Sequence, residues 1–171
     1  MILPAIDVQL MNEHLRTHEG VLYKLRIYYH HAKNPILKEI IQKQYMVMLD
    51  HVRVMLELLN PNRTTDVKLA PIQVDIVPSP LGGPIADQDK PLAIEGRATG
   101  QNMANMNFMS ALMMKNSHVK AIHKEMALQQ SQLQESYSRF LSTAFNEKPP
   151  MSSPEEQLTI INRHKHLLKK S

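Results

Sequence analysis

The same turn signal occurs twice in this chain, 82 positions apart, and it divides the sequence into two similar halves. Residues 32 to 38 read AKNPILK, and residues 114 to 120 read MKNSHVK. Asn is a favoured helix N-cap, and Pro is favoured at the first helical position, so Asn34-Pro35 is typical of a helix start. Asn116 repeats this signal. Each half is therefore predicted to be one helical hairpin.

Apolar residues recur in steps of three and four on both sides of the first turn, which is the spacing of an amphipathic helix. The seam before the turn is Val8, Met11, Leu15, His18, Leu22, Leu25, Tyr29 and Ala32. The seam after the turn is Leu37, Ile41, Gln44, Met48, His51, Met55 and Leu58. These patterns predict an antiparallel hairpin over residues 8–59.

The second half has the same organisation over residues 91–147. Its third helix is predicted to carry a seam of Leu92, Glu95, Thr99, Asn102, Met106, Met109 and Met113. Its fourth helix is predicted to carry Val119, Ile122, Met126, Leu133, Tyr137 and Phe140. Gly96 and Gly100 disfavour the third helix by about 1 kcal/mol each relative to Ala. The methionines of this helix are interpreted as gap-filling core, with a soft-metal site or an adaptable binding surface as the alternatives.

Residues 60–90 separate the hairpins and are rich in Pro, with the pair Gly82-Gly83, so a long helix is excluded there. Helices of about 25 residues are nearly 40 Å long, and joining two of them in parallel requires a connection of that length. The sequence therefore predicts a single domain, residues 1–171, that is all-α. Its fold class is a ferritin-like four-helix bundle of two antiparallel hairpins joined by a long crossover, with a short C-terminal helix at 153–169.

Composition excludes several classes of function. The chain has no Cys, so neither a disulfide framework nor a thiolate metal site is expected. The N-terminus lacks the pattern of a signal peptide, and no apolar run reaches membrane-spanning length. The net charge of +4 is scattered apart from the C-terminal RHKHLLKKS, which suits helix termination. We expect a protein made in the cytoplasm that binds neither nucleic acid nor a membrane.

Catalytic and metal-binding patterns are weak. Ferritin-like di-iron centres use Glu-x-x-His motifs, and the helical halves contain none. His14 and His18, four residues apart, could chelate a metal but lack a third ligand in the sequence pattern. No phosphate-binding loop, nucleophile elbow or Cys nucleophile is present. We expect no cofactor, no metal site and no catalytic residue.

One polar feature interrupts the apolar seams. In a hairpin that turns at Asn34, facing residues have numbers that sum to about 68, because both helices rise equally from the turn. His18 and His51 satisfy this relation, which predicts that they lie at one level of the bundle. Gln44 and Asp50 are further candidates for this buried polar layer, whose side chains must find hydrogen-bond partners. We interpret the layer as structural, with a metal or ligand site as the alternative.

The two turns KNPILK and KNSHVK, the Pro-rich crossover and the closing PEEQL helix resemble the spore coat F-like proteins of endospore-forming bacteria. The resemblance covers most of the chain from about Asn12 onward. The stretch NEKPPMS after the fourth helix departs from it, because that family has aromatic residues there. The resemblance implies a ferritin-like fold, no catalytic residues, and a structural role in the proteinaceous spore coat, reached from the mother-cell cytoplasm.

Two functions are therefore weighed. The first is a non-enzymatic assembly component that contacts other spore coat proteins and itself, as a homodimer through helical faces. The second is a ferritin-like metal-binding or oxidative protein with a non-standard ligand set. The missing Glu-x-x-His motif favours the first.

Overall fold

The computed structural model describes residues 2–72 and 82–168, which contain helices and no strand. The helices are α1 (Ala5–His31), α2 (Pro35–Leu59), α3 (Asp89–Met113), α4 (Ser117–Phe145) and α5 (Pro154–His164), with a 3-10 turn at Lys165–Leu168. Asn34 and Asn116 accept backbone N–H groups as the N-caps of α2 and α4. Both hairpin turns therefore lie where the repeated signal predicts them.

Contacts between helices establish the topology. His14 of α1 meets Ser110 of α3, while Lys24, further along α1, meets Thr99 nearer the start of α3. The two helices are therefore antiparallel. Since α1 is also antiparallel to α2 across a short turn, α2 and α3 run in the same direction. The predicted ferritin-like bundle with one long crossover is confirmed.

The described parts of the crossover lie along the bundle, as predicted. Val67 and Leu69 are buried against the end of the bundle where α2 finishes. At the opposite end, the Asn34 side-chain amide donates to the carbonyl oxygens of Gly83 and Pro84. Residues 73–81 lie outside the described part, so the prediction of a continuous long crossover is tested only at its two ends.

The two hairpins cap each other's turns. Asp7, at the start of α1, accepts the N–H groups of Lys115 and Asn116 at 2.8 Å each. Asp89, at the start of α3, accepts the N–H groups of Lys33 at 2.7 Å and Asn34 at 3.2 Å. Both carboxylates are fully buried. Asp7 and Asp89 are themselves 82 positions apart, so the internal repeat includes this reciprocal contact.

The core agrees with the predicted seams on α2 and α4, where every seam residue is buried. On α1 the buried face is rotated from the prediction. Val8 and Tyr29 are 40% and 37% exposed, while Asp7 and His14 are buried. The reason is that Asp7 must point inward to reach the second turn.

The predicted seam of α3 is wrong except at Thr99, which is buried, and at Leu92, which is half-buried and packs against the core. The buried face consists of small and polar residues as well as one methionine: Asp89, Ala93, Gly96, Thr99, Gly100, Met103, Asn107, Ser110 and Ala111. Met106, Met109 and Met113 are exposed instead, so the interpretation of these methionines as core is also wrong. Small residues take the inner face because α3 lies very close to α4, as the contacts of Gly96 show.

Candidate functional site: a buried histidine layer and an exposed helix

Four histidines from three helices meet in the interior of the bundle. His14 and His18 come from α1, His51 from α2 and His123 from α4. The ring centroids are 5.4 Å apart for His14 and His123, 6.2 Å for His14 and His18, and 5.7 Å for His18 and His51. All four side chains are at most 2% exposed. We refer to these four residues as the histidine layer.

One ring nitrogen of each imidazole is held by a hydrogen bond. His18 Nδ1 donates to the carbonyl oxygen of His14 at 2.7 Å, and His123 Nδ1 donates to that of Val119 at 2.9 Å. His51 Nε2 lies 2.8 Å from Gln129 Oε1. Because Gln129 Nε2 donates to the backbone, its oxygen must accept from His51. These bonds fix the tautomers of three rings.

The second nitrogen of each ring is left as a buried lone pair or N–H. Among the described residues, no protein atom is hydrogen-bonded to His14 Nδ1, His18 Nε2, His51 Nδ1 or His123 Nε2. In His18, His51 and His123 this atom is an acceptor, because the other nitrogen carries the proton. Burying a polar atom without a hydrogen-bond partner costs free energy, so the layer lowers the free energy of unfolding of the bundle.

Burial keeps these imidazoles neutral. Desolvation lowers the pKa of His18 from 6.5 to about 3, and those of His51 and His123 to about 4. It also lowers the pKa of His14, against the opposing influence of Asn107 and Glu13. Neighbouring imidazoles contribute in the same direction, since charges of one sign repel.

The predicted polar layer is partly reproduced. His18 and His51 lie side by side, as the hairpin register predicts. Gln44 is buried elsewhere in the core, where its Oε1 accepts from the Tyr137 hydroxyl at 2.8 Å. Asp50 does not join the layer, because it faces outward, pairs with Arg53 and accepts the N–H of Ala70.

Sequence reasoning passed over two members of the layer. The i, i+4 spacing relates His14 only to His18, as a chelating pair, and His123 lies outside the seam predicted for α4. A signal for His123 existed, since Val119, His123 and Met126 follow the same alternation of four and three as the rest of α4. His14 is missed because the seam predicted for α1 is rotated relative to the buried face.

The layer does not have the geometry of a metal centre. Across residues 2–72 and 82–168, no three His, Asp or Glu side chains are arranged so that they could hold an ion. The polar atoms nearest the layer on α3 belong to Ser110 and Asn107, which are neutral. What the layer presents is therefore a set of basic nitrogens that can accept protons.

A second feature lies outside the bundle. Every residue of α5 and the following 3-10 turn is exposed, including Leu158, Ile161 and Leu168. The helix is nevertheless well started, because Ser153 and Glu156 form a reciprocal capping box. It is an amphipathic helix whose apolar face is not covered by the described part of this chain.

A groove between α3 and α4 is also apolar. Its volume is about 650 Å³, and Phe108, Met109 and Leu128 line it together with Lys124. The exposed fractions of these three apolar residues are 48% for Phe108, 58% for Met109 and 66% for Leu128. Among the described helices, none combines the length and hydropathy that crossing a bilayer requires.

No protein-family model, curated protein or solved structure matches this chain.

Proposed function

We propose that this chain is a non-enzymatic assembly component of the proteinaceous coat of bacterial endospores. The repeated KNPILK and KNSHVK turns and the closing PEEQL helix, by which the sequence resembles coat F-like proteins, support the proposal. Its partners are then other coat proteins and further copies of itself, not nucleic acid or a membrane. It is made in the mother-cell cytoplasm and is afterwards part of the spore coat.

The observation that carries the proposal is the exposed helix α5. Isolated helices of this length are marginal in water, and most helices are stabilised by packing an apolar face. Leu158 and Ile161 lie three residues apart on one face and are each more than half exposed. A helix with such a face, held outside the bundle, is suited to packing on another molecule.

The groove between α3 and α4 of a second copy is the surface that fits this helix. Both surfaces are apolar, with Phe108, Met109 and Leu128 in the groove. Their charges are also complementary, because Lys124 lies in the groove while Glu155 and Glu156 lie in the first turn of α5. Head-to-tail contacts of this kind extend into chains unless symmetry closes them, as an assembling coat requires.

The test uses one pair of adjacent substitutions on α5. Leu158→Asp places a charge on the apolar face, and Thr159→Asp places the same charge on the other side of the helix. Light scattering coupled to size-exclusion chromatography should show concentration-dependent self-association for the wild type and Thr159→Asp, but a monomer for Leu158→Asp. A monomeric wild type, or equal association of both variants, would contradict the self-assembly proposal.

A second arm tests the location. A fluorescent fusion expressed in a sporulating host should form a shell around the developing spore, and the Leu158→Asp fusion should remain diffuse in the mother cell. Diffuse fluorescence of the wild-type fusion throughout sporulation would overturn the coat assignment while leaving self-association intact.

A further inference from the structure

We propose that the histidine layer is an acid-sensitive seam, in which proton uptake by buried imidazoles separates the two hairpins of the bundle. His14, His18 and His51 belong to the first hairpin, and His123 belongs to the second. The bonds from His14 to Ser110 and from His51 to Gln129 also join the two hairpins. The layer is thus part of the interface between the hairpins, and a charge placed in it acts on that interface.

The geometry explains why protons have a strong effect here. Three of the four imidazoles present bare acceptor nitrogens in a buried space, with neighbouring rings 5.4 to 6.2 Å apart. The first proton can bind to one of these nitrogens. A second proton would charge another imidazole at this distance, and the two positive charges repel each other in a medium with little water. The rings therefore titrate as a coupled set rather than individually.

The surrounding charges do not cancel this effect. Glu13 of α1 favours protonation of His14, Asp50 of α2 favours that of His51, and Asp7 favours that of His123. In each case the desolvation of the imidazole outweighs the carboxylate. Ser110 and Asn107 on α3, and Gln129 on α4, are neutral neighbours. No counter-ion in the layer compensates an imidazolium within the described residues.

The direction in which stability changes with pH follows from the folded and unfolded pKa values of the histidines. The folded pKa values of three imidazoles are about 3 to 4, and their unfolded value is 6.5. Between these limits the unfolded chain binds more protons, so stability is complete above pH 6.5 and is lost as the pH falls below it. With three such groups, the unfolding equilibrium constant should rise up to about a thousandfold per pH unit.

The experiment measures urea unfolding by circular dichroism at a series of pH values between about 7.5 and about 4.5. The wild type should lose stability steeply below pH 6.5. The double variant His18→Leu/His51→Leu removes two proton sites, and its unfolding constant should rise about a hundredfold less per pH unit. The matched control His30→Gln/His31→Gln removes two exposed histidines and should follow the wild type.

If the double variant does not fold, NMR of the wild-type protein provides the test. Ring-proton NMR signals of the four buried histidines should stay in the neutral position until the protein unfolds. Normal titration of these signals in the folded protein, or equal pH slopes in the wild type and the double variant, would overturn the proposal. So would a transition-metal ion retained by the four rings after desalting, since coordinated nitrogens could not take up protons freely.

Discussion

The two hairpins have similar turn sequences, but their helices pack differently. When the halves are aligned by their turns, His14 and His18 of α1 fall on Gly96 and Gly100 of α3. In the second hairpin the glycines let α3 lie directly against α4, and these two helices share the most extensive contact in the bundle. In the first hairpin the same positions hold two buried imidazoles.

The difference shows how one duplicated pattern serves two purposes. The contact between α3 and α4 in the second hairpin gains stability from close packing, which does not depend on pH. The first hairpin places polar rings in its core, which is costly but makes the bundle responsive to protons. The reciprocal caps of Asp7 and Asp89 hold the two unlike hairpins in register.

The largest loss of stability is expected from adding a side chain at Gly96. A β-carbon at this position would overlap the ring of Tyr137 and lie 2.9 Å from its hydroxyl oxygen. Tyr137 is fully buried, and its hydroxyl donates to Gln44, so the ring has little room to move. Gly96→Ala should lower the free energy of unfolding by about 3 kcal/mol, measured by urea denaturation.

The clash itself can be isolated with a double variant. If overlap with the ring is the cause, Tyr137→Leu should remove much of the penalty, so that the double variant Gly96→Ala/Tyr137→Leu costs less than the sum of the single changes. Additive losses would place the cause elsewhere, and a Gly96→Ala variant as stable as the wild type would contradict the close approach of α3 and α4.

A smaller loss of stability is expected from removing either of the two reciprocal caps, Asp7 or Asp89. Asp89 accepts N–H groups from Lys33, Asn34 and Ala86, whereas Asp7 accepts two, from the second turn. Substitution by Ala removes the carboxylate that accepts from these N–H groups, at about 2 kcal/mol for Asp7→Ala and somewhat more for Asp89→Ala. Urea denaturation of both variants measures the difference.

The control for these two variants is Asp87→Ala, which removes an exposed carboxylate near the start of α3. It should change stability by no more than about 0.5 kcal/mol. If Asp7→Ala and Asp89→Ala were as mild as this control, the hairpins would not depend on capping each other.

Much of the fold could be predicted because its signals are local. Asn34 and Asn116 identify the turns, and the prolines of the crossover exclude a helix between the hairpins. The buried face of α3 could not be predicted in the same way. Hydrophobicity assigns Met106 and Met109 to the core, but close helix packing selects Gly and Ala for the inner face, and that depends on the partner helix.

The histidine layer could be predicted only in part, for a related reason. His18 and His51 are related by the short turn between them, so their register follows from counting residues. His123 belongs to the other hairpin, and its distance from His14 depends on how the hairpins dock. The reciprocal contacts of Asp7 and Asp89 were missed for the same reason, although both occupy equivalent positions in the repeat.

The smallest effect, and the only stabilising one, is expected at Gly20 on α1. A β-carbon there would have no neighbour within 4 Å, because Gly20 lies on the exposed face of the helix. Gly20→Ala should therefore raise the free energy of unfolding by about 0.5 to 1 kcal/mol through helix propensity alone. Because Gly20→Ala and Gly96→Ala make the same chemical change, opposite signs in urea denaturation would assign the Gly96 penalty to contact with α4. If Gly20→Ala also lowered the free energy of unfolding, the outer face of α1 would have a close neighbour, and α1 and α3 would not differ in packing at these two glycines.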